Sequence, residues 1–237
     1  MNTQHTRSNI ILLHFAGGNC YSYQPLKRLM PDFNVIMPEL PGRGRRTGEP
    51  LLHDKTQAVN DLFAQLMALK LNGDLVIYGH SMGATLGLLL CEKLERAGID
   101  PACLIVTGSA GPGVGEKEKR YRLKGEAFKE ALRKLGGIPE ELLQNEELFE
   151  YFEPVIRADF ELLEKDEQEP DQSLRVPIHA VMGCEEEDVV HIQNWQRFSN
   201  GMVTTEVWPG NHFFIYDALE RLAGLLDRYA MHATVKI

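Results

Sequence analysis

The chain has 237 residues, of which 43% are hydrophobic, and a formal net charge of −9 at pH 7. This length is enough for one domain with a large core, so a single domain over residues 1–237 is expected. The acidic balance argues against a nucleic-acid partner or an anionic membrane surface, because both require an excess of Lys and Arg.

No apolar run is long enough to cross a membrane, and the N-terminus lacks the pattern of a signal peptide. We therefore expect a cytoplasmic protein, and we expect it to act as a monomer. The four cysteines are scattered without metal-ligand spacing. No metal and no cofactor is expected.

The first predicted strand covers residues 10–14 and ends in Phe15-Ala16-Gly17-Gly18. Two glycines directly after a buried strand indicate a close approach of the backbone to another group. A tight turn that needs glycine for geometry alone is the alternative.

The second predicted strand, residues 33–37, is followed by a loop rich in Pro and Gly that contains Arg43, Arg45 and Arg46. Three arginines at a strand end predict a surface feature near the mouth of a site, where guanidinium groups grip phosphate or carboxylate. An ordinary solvated loop is the alternative. A helix over residues 56–71 then leads to the next strand, and this alternation predicts a mostly parallel sheet with helices on both faces.

The strongest local signal lies in residues 74–92, where an apolar strand breaks at Gly79-His80-Ser81-Met82-Gly83 into an apolar helix. The Gly-x-Ser-x-Gly spacing predicts a cramped strand-to-helix turn in which the glycines avoid Cβ collisions. The serine would then be a nucleophile. In such an arrangement the N–H of Met82 and an N–H of the first loop, from Ala16 or else Phe15, form an oxyanion hole. A structural Gly-rich turn is the alternative.

After a strand at residues 102–107 the pattern changes. Residues 116–169 are charged and helix-favouring, with no strand signal. This predicts a helical insertion that forms a lid or a substrate wall. A purely structural cap is the alternative.

Strands resume at residues 176–182 and 204–208. The first of these ends in an acidic run that contains Glu186 and Asp188, and the second is followed by His212. Serine, acid and histidine in this order, each after the carboxyl end of a strand, predict a catalytic triad on an α/β-hydrolase sheet. His212 would serve as the base, and one carboxylate would fix its tautomer.

Six segments form a set that covers nearly the whole chain. They are LHFAGG (13–18), PELPGRGR (38–45), GHSMG (79–83), LGGIPE (135–140), RADF (157–160) and GNHFF (210–214). Together they resemble the external, type II thioesterases of nonribosomal peptide and polyketide synthesis. The resemblance implies hydrolysis of acyl or aminoacyl thioesters from the phosphopantetheine arm of carrier proteins, which frees stalled or misprimed assembly lines. It also implies that residues 116–169 form a lid over the acyl channel.

One departure from the family pattern concerns the acid. The family has an Asp three residues after the strand-ending glycine, and this chain has Glu186 there. Glu186 keeps the frame, whereas Asp188 has the usual side-chain length but needs a longer loop. We favour Glu186, and Asp188 remains the alternative.

Carrier proteins are generally acidic, as this chain is, so docking requires a local cluster of cations. The candidates are the arginine loop, with Arg43, Arg45 and Arg46, and a second cluster. That second cluster consists of Lys117, Lys119, Arg120, Arg122 and Lys124. A general carboxylesterase or lipase is the main alternative function, and a non-catalytic binding protein of the same fold is another.

Overall fold

The protein is described by a computed structural model, which covers residues 8–114, 119–165 and 169–233. Six strands form one sheet in the order β2-β1-β3-β4-β5-β6. They are β1 (Asn9–Leu13), β2 (Asn34–Ile36), β3 (Leu75–His80), β4 (Cys103–Thr107), β5 (Ile178–Gly183) and β6 (Val203–Trp208). Each of the five neighbouring pairs is parallel. The predicted α/β-hydrolase type of sheet is therefore confirmed, and its described part is entirely parallel.

Helices cover both faces of the sheet. They are α1 (Gln24–Arg28), α2 (Lys55–Ala68), α3 (Met82–Arg96), α4 (Glu126–Leu135), α5 (Glu140–Gln144), α6 (Glu146–Glu164) and α7 (Leu219–Ala233). Successive strand residues point to opposite faces, so Ile11 and Leu13 pack with α2 and α3. Ile10 and Leu12 pack with α1 and α7 on the other face. None of the helices in the described ranges has the length and apolar character that a membrane crossing requires.

Helices α4, α5 and α6 lie between β4 and β5 in the chain, and no strand interrupts residues 119–165. These helices, which we call the helical insertion (residues 120–164), have an apolar cluster of their own that includes Phe128, Phe149 and Phe160. The two ends of the insertion predicted from the sequence, residues 116–118 and 166–168, lie outside the described ranges.

The parallel arrangement decides where the candidate residues meet. Because all strands run in the same direction, their carboxyl ends lie at one edge of the sheet, where folds of this kind place their ligands. The loops that follow the six strands contain the Phe15 turn, the arginine loop, Ser81, Gly108, Glu186 and His212. Residues far apart in sequence are thereby brought to one edge.

Candidate active site

Ser81 forms the whole connection between β3 and α3. The sequence predicted a five-residue turn, but the strand continues to His80 and the helix starts at Met82. Only Ser81 departs from regular geometry, with φ 54° and ψ −113°. A positive φ at a residue with a Cβ costs on the order of 1–3 kcal/mol, and such strain is typically retained where it exposes a functional side chain.

The two glycines of the motif permit this sharp turn. A Cβ at Gly79 would lie 2.0 Å from the carbonyl oxygen of Gly83, so strand and helix could not meet. A Cβ at Gly83 would lie 2.3 Å from the carbonyl oxygen of Leu13. The second glycine thus lets the start of α3 approach the end of β1, and this brings Ser81 beside the Phe15 turn.

His212 is held by Glu186. The Nδ1 atom of His212 lies 2.7 Å from Oε2 of Glu186, and the other carboxylate oxygen accepts the N–H of Gly183 at 2.7 Å. The two side chains are only 12% and 8% exposed. The Nε2 atom of His212 is buried and has no hydrogen-bond partner among the described residues. Since Nδ1 is used by the carboxylate, Nε2 is the atom available to a serine hydroxyl.

Close backbone contacts join the acid and histidine loops. A Cβ at Gly183 would lie 2.5 Å from the carbonyl oxygens of Gly210 and Asn211, and the N–H of Glu185 donates to Gly210 at 3.1 Å. Asp188, the alternative acid, has no hydrogen bond to His212 and instead precedes a 3-10 helix over residues 189–197. The geometry favours Glu186, whose longer side chain reaches the ring from the position where the family has an Asp.

Ser81 and His212 are linked through their neighbours. The imidazole rings of His80 and His212 lie 4.8 Å apart between centroids, and the N–H of Ser81 donates to the carbonyl oxygen of Thr107 at 2.8 Å. A Cβ at Gly108 would lie 2.4 Å from His80 and 3.1 Å from His212. The structure records no hydrogen bond between Ser81 and His212; such bonds are often long until substrate binds.

His80 is a buried histidine that lies next to His212 and precedes Ser81. Its Nδ1 lies 2.9 Å from the Thr107 hydroxyl, which also bonds the hydroxyl of Tyr78 at 2.9 Å. Burial, followed by the proximity of His212, holds the pKa of His80 well below its usual value. A neutral His80 means that an imidazolium forming on His212 meets no second cation beside it.

The predicted oxyanion donors follow the carboxyl ends of β1 and β3. Met82 is the first residue of α3, where an N–H has no partner within the helix. Ala16 lies in a turn that the N–H of Gly18 closes by donating to Phe15 at 2.9 Å. No hydrogen bond within the described residues uses the N–H of Met82, Ala16 or Phe15. Their role in an oxyanion hole stays a prediction.

An apolar cavity of about 140 Å³ lies between the Phe15 turn and the helical insertion. Its lining residues are Phe15, Ala16, Gly17, Leu132, Leu135, Gly136, Gly137, Ile138, Pro139, Leu142, Phe152, Ile156, Phe160 and Phe213. None of these has a polar side chain, so the cavity suits the hydrocarbon part of an acyl group. A larger depression of about 360 Å³ between α2 and α3 shares none of these residues and contains no candidate triad residue.

The arginine loop corrects one expectation. Arg43 was predicted at the surface, but it is 5% exposed and its guanidinium pairs with Asp159 of α6 at 2.5 and 2.7 Å. Arg46 is held by Asp61 and Glu49. Arg45 alone of the three is exposed, and it makes a weak bond to a backbone oxygen at 3.4 Å. Only Arg45 remains a good candidate for contact with a partner.

The second basic cluster is only partly open. Lys117 lies outside the described residues. Lys119 and Arg120 bond to Glu164, whereas Arg122 and Lys124 are exposed. The last two are thus the members of this cluster that can face a partner.

Sequence reasoning missed three residues near the site. The Thr107 hydroxyl bonds to His80, and the missing side chain of Gly108 leaves room for the rings of His80 and His212. A single Thr-Gly pair at a strand end does not indicate these contacts. Asp159 did give a signal, because it falls on the apolar face of α6 between Ile156 and Phe160, which are both buried. A carboxylate at such a position indicates a buried partner.

Comparisons with known proteins show the family to which the chain is similar. Residues 8–229 match the family model described as "Thioesterase domain". The chain is 29% identical to "Linear gramicidin dehydrogenase LgrE" of Brevibacillus parabrevis, over 90% of this chain and 84% of that protein.

Two solved structures are similar over most of their length. The RedJ thioesterase from the prodiginine biosynthetic pathway of Streptomyces coelicolor is 27% identical, with a TM-score of 0.85 over 93% of this chain and 85% of that chain. The type II thioesterase BorB from the borrelidin biosynthetic cluster is 28% identical, with a TM-score of 0.83 over 96% of this chain and 92% of that chain.

Proposed function

The chain belongs to the thioesterase family, and on this premise we propose that it hydrolyses acyl and aminoacyl thioesters held on the phosphopantetheine arm of carrier proteins. The resemblance to type II thioesterases that the sequence predicted is confirmed by the family model and by relatives that include BorB. Such hydrolysis clears stalled or misprimed groups from nonribosomal peptide and polyketide assembly lines.

One observation carries the proposal. A histidine that is bonded to a carboxylate through Nδ1, and that keeps Nε2 unpartnered among the described residues, lies at the same edge of the sheet as a strained serine. Its neighbour Phe213 lines an all-apolar cavity. In this arrangement His212 takes the Ser81 proton through Nε2, and Ser81 attacks the thioester carbonyl. The N–H groups of Met82 and Ala16 stabilise the resulting oxyanion.

The second half of the reaction uses the same residues. The oxyanion collapses, the C–S bond breaks, and the thiol leaves with the proton that His212 held. Water then gives a proton to His212 and attacks the acyl-serine, and Ser81 is released with the free acid. Glu186 keeps the ring in one tautomer and stabilises the imidazolium throughout.

The name of the Brevibacillus relative describes a dehydrogenase. We carry over hydrolysis instead, because the matching family model is a thioesterase domain and the described site consists of a serine, a histidine and an acid. A general carboxylesterase or lipase uses the same triad, so the leaving group must be tested directly.

The test compares matched substrates. An acyl group is presented on a carrier protein, on coenzyme A and as an oxygen ester, and each is given to the native protein and to Ser81→Ala. We expect the native protein to prefer the carrier thioester and Ser81→Ala to be inactive. Preference for the oxygen ester would favour an esterase. Equal rates for both proteins would exclude Ser81 as the nucleophile, and failure to hydrolyse any of them would favour a binding protein.

We propose that the carrier docks near Arg45, with Arg122 and Lys124 as further contacts, because these cations are exposed. We also propose that the protein acts as a monomer, and light scattering at working concentration tests this.

A further inference from the structure

Asp159 of the helical insertion bonds directly to the turn that contains the candidate oxyanion donor. Its Oδ2 atom accepts the N–H of Gly17 at 2.7 Å and an N–H of Arg43 at 2.5 Å. Its Oδ1 atom accepts a second N–H of Arg43 at 2.7 Å. Both oxygens of the carboxylate are therefore used, as a buried anion requires.

The pair is shielded from solvent. The side chain of Asp159 is fully buried and that of Arg43 is 4% exposed. Replacing such a pair by apolar side chains is often neutral for stability, so ion pairing alone gives little reason to keep it. The hydrogen bond to Gly17 gives the carboxylate a second purpose.

The Phe15 turn needs an external anchor. Gly17 has a φ of +76° and no side chain, and Gly18 follows it, so this backbone is intrinsically free to rotate. Within the turn, the bond from Gly18 to Phe15 closes one side. Asp159 fixes the N–H of Gly17, and Arg43 approaches the carbonyl oxygen of Gly18 at 3.4 Å. Ala16 lies between these fixed points.

Helix α6 also closes on the turn sterically. A Cβ at Gly17 would lie 3.0 Å from Cγ1 of Ile156, one helical turn before Asp159. The insertion thus contacts Gly17 both through an apolar side chain and through the carboxylate. Its position and the conformation of the turn are coupled.

We propose that Asp159 is a positioning residue of the oxyanion hole: through Gly17 it fixes the peptide groups around Ala16, and Arg43 holds the carboxylate in place. The inference rests on the proposed function, since an oxyanion hole matters only if Ser81 attacks a carbonyl. Its consequence is that the helical insertion supplies part of the catalytic geometry in addition to covering the cavity.

Two matched double variants separate positioning from stability. Arg43→Met with Asp159→Asn removes the charges but keeps an oxygen that accepts from Gly17. Arg43→Met with Asp159→Leu removes the acceptor as well, in a side chain of similar size. Urea unfolding of both variants checks that each is folded at the assay temperature.

We expect kcat for a short acyl thioester to be about 10²-fold lower in the Leu variant than in the Asn variant, with similar KM, because a misplaced donor acts on the transition state. The inhibition constant of an alkyl trifluoromethyl ketone, which forms a tetrahedral adduct with a serine nucleophile, should rise by a similar factor. Glu161→Gln is the control, since it removes a carboxylate charge from the same helix, at a side chain that lies 2.7 Å from His53 and does not touch the turn. It should leave kcat unchanged.

Equal kcat in the two double variants, or a difference confined to KM, would overturn the inference. Loss of kcat in Glu161→Gln as large as in the Leu variant would do the same. An inactive native protein would instead count against the proposed function, so the two failures are distinguishable.

Discussion

Two buried side-chain pairs lie at the carboxyl edge of the sheet, and they differ in the basic group that faces the carboxylate, an imidazole in one and a guanidinium in the other. The His212–Glu186 pair joins two neighbouring strand loops, is about one-tenth exposed and leaves Nε2 of His212 unpartnered. The Arg43–Asp159 pair joins a strand loop to the helical insertion and is almost fully buried. In both pairs the carboxylate uses both oxygens, and Nε of Arg43 is also unpartnered among the described residues.

The difference fits the roles that we propose for the two pairs. A pair that moves a proton needs a group that titrates and an atom open to the substrate, and a histidine supplies both. A pair that holds a loop needs a permanent charge and fixed geometry, and arginine supplies these. Variants of each pair and of its surroundings test this division.

The largest effect concerns the acid of the catalytic pair. Glu186→Ala removes the group that fixes the tautomer of His212, so we expect kcat/KM to fall by about 10³ to 10⁴. Asp188→Ala should change it by less than about threefold, because that side chain makes no bond to the ring. Steady-state kinetics on one acyl thioester measures both. The reverse order of effects would assign the acid to Asp188.

The second effect concerns the protonation of His14, a buried residue near Arg43. His14 lies next to the Phe15 turn, and burial, together with the charge of Arg43, lowers its pKa from 6.5 to about 4. Because the folded-state value is the lower one, the unfolded chain binds the proton first. The stabilisation is complete above pH 6.5 and is lost as the pH falls toward 4.

Urea unfolding at pH 7 and pH 5 tests this sign. Between these values the free energy of unfolding of the native protein should drop by about 2 kcal/mol more than that of His14→Gln. If His14→Gln loses as much stability between pH 7 and pH 5 as the native protein does, the pKa of His14 is not lowered by folding. The surroundings of Arg43 would then not disfavour a protonated histidine, and the proposed contrast between the two pairs would be weaker.

The third effect concerns the contact between the insertion and the catalytic loop. Gly136 and Gly137 both have positive φ, +80° and +78°. A Cβ at Gly137 would lie 2.2 Å from the Phe213 ring, whereas one at Gly136 would be 3.9 Å away. Both alanine variants therefore bear similar backbone strain, but only one displaces the residue next to His212.

We expect Gly137→Ala to lower kcat/KM about tenfold more than Gly136→Ala, because a shift of the order of 1 Å at the base is costly. Parallel kinetics and thermal unfolding of the two variants check this. If both lose the same activity, Phe213 has no influence on His212, and the insertion acts on the site only through Asp159.

The smallest effect concerns the exposed arginine. Arg45→Glu should raise KM for an acyl-carrier protein about threefold to tenfold and spare a small pantetheine thioester, since surface charge acts on the encounter. Lys70→Glu is the matched control, because Lys70 is exposed at the end of α2, near the opposite edge of the sheet. Equal changes in the two variants would remove Arg45 from the docking surface.

The sequence predicted the pair that we propose to be catalytic, a role that stays a prediction, and it misread the surroundings of Arg43. Ser81, Glu186 and His212 were accessible because strand ends and glycine spacing have fixed meanings in parallel sheets. Arg43 stands between two glycines in a loop rich in proline, a pattern that indicates a solvated surface. Its burial depends on Asp159, which lies 116 residues away in sequence, and no local pattern reports such a distant partner.

Distant contacts also decide where some helices begin, and local sequence does not report them. The residues after the Phe15 turn, 19–29, can start a helix by their sequence, but the structure has α1 over residues 24–28 only. The preceding residues 19–23 form turns. Their backbone groups are held by side chains from elsewhere, such as Glu39, which accepts the N–H of Cys20 at 2.9 Å. Contacts of this kind override local helix preference.

In the proposed reaction Ser81 becomes acylated, and His212 activates the water that releases the acyl group. The most direct measurement is to mix the native protein with an acyl-carrier thioester, quench in acid within the first turnovers and map the acylated peptide by mass spectrometry. We expect the acyl mass on the peptide that contains Ser81, and no adduct in Ser81→Ala. An adduct on another residue, or hydrolysis that persists in Ser81→Ala, would contradict it.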